Sequence, residues 1–192
     1  MTAIMTTQPK EQYKDESNLA QLAVTDIEAF AELYRRHLTR VYRYHVAHVG
    51  NPKDAEDLTS QTFIAALEGI RSFRGTGSFA AWILGIASKK RLMFYRGNKA
   101  EIPLDDALHH PNPELPTDKT AAHRMQLESI SRALQQISPE RAEALILTYF
   151  GGLSHAEAGR VLNKSEAAVK MLISRGLQDL RERTSLALEV EL

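Results

Sequence analysis

The 192-residue chain predicts an all-α protein: two small helical domains joined by a flexible linker. Three observations predict this. Apolar residues recur three and four positions apart along most of the chain, and no stretch alternates with the period of a strand. Helix-start signals (Asp, Asn or Ser, twice followed by Pro) stand before those periodic runs. Between residues 98 and 120 the periodicity stops, and four of the seven prolines collect there with Asp105, Asp106, Glu114 and Asp118. Such composition reads as an extended acidic linker.

The elements follow in order. Residues 1–20 are polar, without a hydrophobic signal core, and read as a disordered lead-in. Asp26 caps a first helix whose inward positions are Ile27, Phe30, Leu33, Tyr34, Leu38, Val41 and Tyr42. It fades near Gly50. Asn51-Pro52 restarts helix, with Asp54, Glu56 and Asp57 in the first turns, where acids suit the helix dipole. Leu58, Thr62, Phe63, Ala66, Leu67 and Ile70 carry that helix inward. Gly75-Thr76-Gly77 breaks it. Ser78 caps a third helix with Phe79, Trp82, Ile83, Ile86 and Phe94 on its apolar side. Trp82 fits core packing, a wedge for melting duplex, or both.

After the linker (98–122) helix resumes near His123, through Leu127, Ile130, Ala133, Leu134 and Ile137. Ser138-Pro139 starts the next helix, with Ala142, Leu145, Ile146 and Tyr149 inward, and Gly151-Gly152 ends it. Ser154 and Glu157 have capping-box spacing. A short helix runs to Leu162, Asn163 suits a left-handed turn position, and Ser165 caps a long helix with Val169, Leu172, Ile173, Gly176, Leu177 and Leu180 inward. The domains are expected over 21–97 and 123–185, with a tail over 186–192 and no further domain after it.

The charge pattern carries the first functional signal. The chain's formal net charge is zero, yet the 32 residues from Gly69 to Ala100 hold no Asp or Glu. They hold Arg71, Arg74, Lys89, Lys90, Arg91, Arg96 and Lys99, with Phe73, Phe79, Trp82, Phe94 and Tyr95 interleaved. Cations among flat side chains suit a nucleic acid, single strands especially. Ser88, Lys89, Arg91 and Arg96 crowd together with no acid nearby in sequence to pair them, which points to an absent polyanion.

The second signal is the pattern of short helix, tight turn and longer helix, a helix-turn-helix. The outward positions of its second helix are Ser165, Glu166, Ala167, Lys170, Met171, Ser174, Arg175 and Gln178. Lys170 and Arg175 can reach phosphates or guanine, and Ser174 and Gln178 can reach base edges. A helical hairpin with a merely solvated charged face fits the same pattern.

Other chemistries find no support. Without cysteine there is no disulfide framework, thiol nucleophile or Cys-ligated zinc. The Gly75–Ser78 stretch lacks the phosphate-loop pattern and follows no strand. His45 with His48, and His109 with His110, lack a third ligand at a supporting spacing, so no metal or other cofactor is expected. Asp105-Asp106 sits in a linker without a pocket. No catalytic residue is assigned. No apolar run approaches the ~20 residues of a membrane span, and a cytoplasmic protein is expected.

Three stretches together carry a family resemblance: "NPKDAEDLTSQTFIAAL", "FRGTGSFAAWILGIA" and "ISPERAEALILTYFGGLSHAEAGRVLNKSEAAVKMLISRGLQDLRE". They resemble bacterial RNA polymerase sigma factors of the extracytoplasmic-function (ECF, group 4) type within the sigma-70 family, over about residues 26–97 and 127–183. The resemblance implies a region 2-like domain that binds core polymerase and the minus-ten element. It implies a region 4-like domain that reads the minus-thirty-five duplex. Asp54, Glu56, Asp57, Leu58, Gln61 and Phe63 fall on the helix that docks on the clamp helices of the largest polymerase subunit. The flap of the second-largest subunit and an anti-sigma factor are further implied partners. Arg71, Arg74, Gly75, Thr76, Gly77 and Ser78 fall at the loop that captures a flipped base, and Trp82, Ser88, Lys89, Arg91 and Arg96 on the helix after it.

The chain departs from the family pattern at several points. Lys89 stands for a usual Asn near the captured base, and Met93 for a frequent Asp. Ala158-Gly159 stands for Ile-Ala, Lys164 for an apolar residue, and Leu172 for a common Arg. Two lost aliphatics, at ~0.8 kcal/mol per buried methylene, would loosen the second domain by a few kcal/mol. The rival readings are a stand-alone helix-turn-helix regulator, and a sigma-derived interaction module without DNA binding.

Overall fold

The computed structural model describes residues 15–75, 77–97 and 121–190. Most of the expected lead-in, Thr76, and the linker over 98–120 lie outside the described residues. Eight α-helices are described: α1 (Glu16–Leu22), α2 (Ile27–Val49), α3 (Pro52–Gly69), α4 (Phe79–Gly97), α5 (Ala121–Gln135), α6 (Pro139–Leu145), α7 (His155–Leu162) and α8 (Glu166–Val190). No strand occurs among the described residues.

The caps form where the sequence puts them. The Asp26 carboxylate accepts from Glu28 N–H at 2.9 Å, and the Asn51 side chain accepts from Lys53 N–H at 2.9 Å. Ser154 and Glu157 close a capping box. Asn163 takes the left-handed conformation at φ 53, ψ 45 and ends α7.

Helices α2, α3 and α4 pack around Leu33, Val41, Ala55, Phe79, Ile83 and Leu84. The second half folds back on this bundle. Helix α5 lies along α2, the turn after α6 packs on α2, and α7 packs on α4. One hydrophobic cluster runs through both halves, from Leu33 and Leu84 to Leu147 and Val169.

Five expectations change. The lead-in over 1–20 is too long: Asp15 caps α1, Leu19 and Ala20 enter the core, and Glu16 Oε1 sits 2.6 Å from His37 Nε2 on α2. Tyr149, expected inward, is 62% exposed. The chain from Ile146 to Phe150 widens into a π turn, and the extra residue per turn rotates Tyr149 outward. Leu67 is 42% exposed because it lies at the edge of the α3 stripe, and Ile27 is 62% exposed at the very start of α2. The tail expected from 186 continues as helix to Val190.

Candidate nucleic-acid interface

The second half presents the outward side of α8, polar except for Ala167 and Met171, to solvent. Val169 and Ile173 are buried, and Gly176 passes close to Leu145 of α6. That fixes the outward side: Ser165, Glu166, Ala167, Lys170, Met171, Ser174, Arg175 and Gln178 are all exposed. Lys170 Nζ pairs with Glu166 at 2.7 Å, one turn back, which holds the ammonium over the face. At this exposure the pair contributes little to stability. Arg141 of α6 pairs with Asp179 and pins the far side of the helix.

The turn between α7 and α8 explains two departures from the family pattern. A Cβ on Gly159 would meet the Lys164 carbonyl oxygen at 2.6 Å, so the turn closes directly over a residue without a side chain. Lys164 itself reaches outward and pairs with Glu140 at 2.9 Å. Ala158 is fully buried. At Gly159 the missing side chain is matched by a close approach of backbone.

The first half builds a cleft. Past α3 the chain makes a single 3-10 turn, Ile70–Ser72, then an extended residue, Phe73. Gly77 has φ +101, in the region that favours glycine. Ser78 then caps α4, accepting from Ala81 N–H at 3.2 Å. Phe73, Phe79 and Trp82 form a triangle of rings with centroids 5.3–5.7 Å apart. Phe79 is buried beneath, while Phe73 and Trp82 are half-buried at the rim. Beside them Arg74, Ser78, Gly85, Ser88 and Lys89 line a cleft of ≈ 460 Å³, closed from the other side by Arg160 and Val161 of α7. Arg71, Arg74, Lys89 and Arg96 are exposed.

Arg91 differs. The sequence places it among cations with no acid to pair, facing phosphate. In the fold it turns to the second half, where its Nη2 donates to Glu143 Oε2 at 2.8 Å. The acid comes from 52 residues further along, so local sequence does not show it. The Tyr44 hydroxyl donates to Glu143 Oε1 at 2.6 Å, and Ser88 Oγ approaches the same oxygen at 3.4 Å. His48 Nε2 lies 3.2 Å from Oε2, off the direction of a formed hydrogen bond. Burial alone would raise the Glu143 pKa. Close His48, the Arg91 charge and the Tyr44 hydroxyl outweigh it and hold the carboxyl down at about 2. Burial, with the Glu143 charge added, raises Tyr44. The one hint in sequence is an acid set beside the apolar stripe of α6.

On the expected polymerase face, Asp57 and Gln61 are exposed and Asp54 and Glu56 half-buried. Burial, then the neighbouring Asp57, raises the Asp54 carboxyl. Leu58 is 1% and Phe63 5% exposed. As direct contacts these two are corrected to core positions, because the inward stripe of α3 passes through them. Sequence reasoning missed what lies next to them: a shallow groove between α2 and α3 whose rim carries exposed Ile64 and Leu67. His45 and His48 belong to the core. Among the described residues no three His, Cys, Asp or Glu side chains gather as a metal site.

Comparison with known proteins agrees with this two-part layout. Residues 33–101 match Sigma-70 region 2, and residues 127–180 match Sigma-70 region 4. These define a polymerase sigma factor by its two conserved regions. The RNA polymerase sigma factor CarQ of Myxococcus xanthus is 30% identical over 158 residues, 81% of this chain and 88% of that protein. The ECF RNA polymerase sigma factor BldN of Streptomyces coelicolor is 31% identical over 158 residues, 81% of this chain, and the match spans 60% of BldN. Among solved structures, CnrH in complex with the cytosolic domain of CnrY has the same fold, with a TM-score of 0.68 at 24% identity over 89% of this chain and 97% of that one. This chain belongs to the ECF sigma factors of the sigma-70 family.

Proposed function

We propose that this chain binds core RNA polymerase and directs promoter-specific initiation. Helix α8 reads the minus-thirty-five duplex through Lys170, Ser174, Arg175 and Gln178. The loop at 74–78 and the cleft on α4 capture unpaired minus-ten bases, with Arg71, Lys89 and Arg96 on the strand's phosphates. The cleft carries the reading: stackable rings at its rim, hydroxyls within, cations around it. Stacking worth ~1–3 kcal/mol per base, added to phosphate contacts, offsets the few kcal/mol of unpairing. No nucleotide hydrolysis is required, and the chain acts as a non-catalytic factor.

Asp57 and Gln61, with the Ile64 and Leu67 groove beside them, form the polymerase-docking face. Leu58 and Phe63 hold that face in place from beneath. A protein partner of the anti-sigma kind belongs to the same reading. Run-off transcription from a promoter library by core polymerase supplied with this chain tests it. Promoter-specific transcripts support the reading. Duplex binding without core binding turns it into a stand-alone helix-turn-helix regulator.

A further inference from the structure

Helix α1 reaches the cleft on α4 from beneath at two points. The first runs through His37 of α2. Glu16 Oε1 lies 2.6 Å from His37 Nε2, and this bond, ahead of every other influence, holds the Glu16 carboxyl low. An ionised carboxylate can only accept, so Nε2 carries the proton and donates. His37 Nδ1 is buried without a hydrogen bond among the described residues, which leaves the bond to Glu16 to orient the ring. The ring packs on Phe79 with centroids 5.1 Å apart. Phe79 is 1% exposed and supports Phe73 and Trp82, the rings at the rim, at 5.7 and 5.3 Å. The second point is the loop. The Gln21 amide nitrogen lies 3.8 Å from where a Cβ on Gly75 would stand. Leu19 and Ala20 anchor α1 in the core between these two points. Packing alone does not call for this arrangement. An apolar residue at position 37 would fill the same space without an unpaired buried nitrogen, which costs ~1–3 kcal/mol. A binding site keeps its geometry, to within about 0.5 Å, only where its side chains are locked from behind.

We propose that Glu16 and His37 are positioning residues for strand capture. Through Phe79 they set Phe73 and Trp82 at the rim, while Gln21 braces the loop at Gly75. Neither Glu16 nor His37 touches the strand. The inference rests on the strand-capture reading of α4.

Trp82 is the chain's only tryptophan, so its fluorescence reports on the rim directly. Capture is read by anisotropy, with a fluorescent pool of random 12-nucleotide single-stranded DNA and the full chain. Glu16→Ala removes the acceptor, and Glu16→Gln keeps an oxygen that can accept. Glu16→Ala is expected to weaken strand binding about fivefold and to make Trp82 more readily quenched by acrylamide. Glu16→Gln is expected to restore both, and duplex binding is expected to stay at the wild-type level in each variant. A lowered melting temperature in Glu16→Ala, with both readouts of the folded chain as in wild type, means a role in stability alone and overturns the proposal. If Arg74→Glu with Lys89→Glu weakens strand binding while Glu16→Ala does not, positioning is wrong and strand capture stands. If neither changes binding, strand capture fails, and positioning with it. Should Glu16→Ala impair folding, Gln21→Ala, at an exposed position of the same helix, decides. Weaker strand binding at an unchanged melting temperature is expected there, and unchanged binding overturns the proposal.

Discussion

The two faces that the proposed function assigns to nucleic acid are built by the same means and left in different states. On α8, an inward stripe of Val169, Ile173 and Gly176 sets the polar side outward, and every expected contact residue there is exposed. On α4, the inward stripe of Phe79, Ile83 and Leu84 does the same, yet Arg91 and Ser78 find acids from the other half. A face that reads duplex needs only to be rigid and open. A face that traps single strands would bind any polyanion, and here it is partly covered by its own chain. On the proposed function, exposure in this fold distinguishes the face assigned to duplex from the face assigned to the single strand.

The largest expected effect comes from removing the open face. Lys170→Glu with Arg175→Glu should weaken holoenzyme binding to promoter duplex upward of about 100-fold, since each such contact contributes ~1–3 kcal/mol. Gel-shift titration checks this. An unchanged affinity would mean that α8 is a solvated surface and nothing more.

The buried seam between the faces sets the next effect, in acid. The Thr62 hydroxyl donates to the Leu58 carbonyl at 2.7 Å, so it accepts from His45 Nε2–H, and His45 Nδ1 is buried without a hydrogen bond. Burial, then neighbouring His48 and Arg91, lowers the His45 pKa from 6.5 to about 3. Glu143 is lowered from 4.5 to about 2. Both groups take a proton more readily in the unfolded chain. Their contribution is therefore fully present above the unfolded values and lost as pH falls, from 6.5 toward 3 for His45 and from 4.5 toward 2 for Glu143. Each adds a slope of up to ~1.4 kcal/mol per pH unit inside its window. Urea unfolding at a series of pH values should show stability falling below pH 6.5, and His45→Asn should flatten the upper part of that fall. A wild-type profile already flat from pH 6.5 to 4.5 would contradict the assignment.

The smallest effect concerns Gly85. It lies mid-helix in α4, lines the cleft, and has nothing within 4 Å of where a Cβ would stand. Packing does not require a glycine there, and in a helix it costs ~0.5–1 kcal/mol against alanine. Gly85→Ala should raise the melting temperature and weaken single-strand binding about fivefold, on the order of 1 kcal/mol. Tighter packing with undiminished strand binding would show that the open space is not reserved for a base.

Much of this was legible in the sequence, for local reasons. Caps at Asp26, Asn51, Ser154 and Asn163 are decided by a few adjacent residues, and so is the polar side of α8. The acid-free stretch located the cleft and its rings. What the sequence did not show depends on distant partners or on local irregularity. Arg91 looked unpaired because Glu143 meets it only after the chain folds back. Tyr149 looked inward because a regular helical period cannot foresee the π turn from Ile146 to Phe150. Helix α1 was missed because seven residues with two core positions make too short a pattern to stand out.

Run-off transcription by core polymerase with the wild-type chain and with Arg74→Glu, Lys89→Glu tests the central claim most directly. The account predicts promoter-specific transcripts with the wild type, and their loss in the variant on duplex templates with partial recovery on templates already open at minus ten. Equal transcription by both proteins, or none by either despite intact duplex binding, would contradict it.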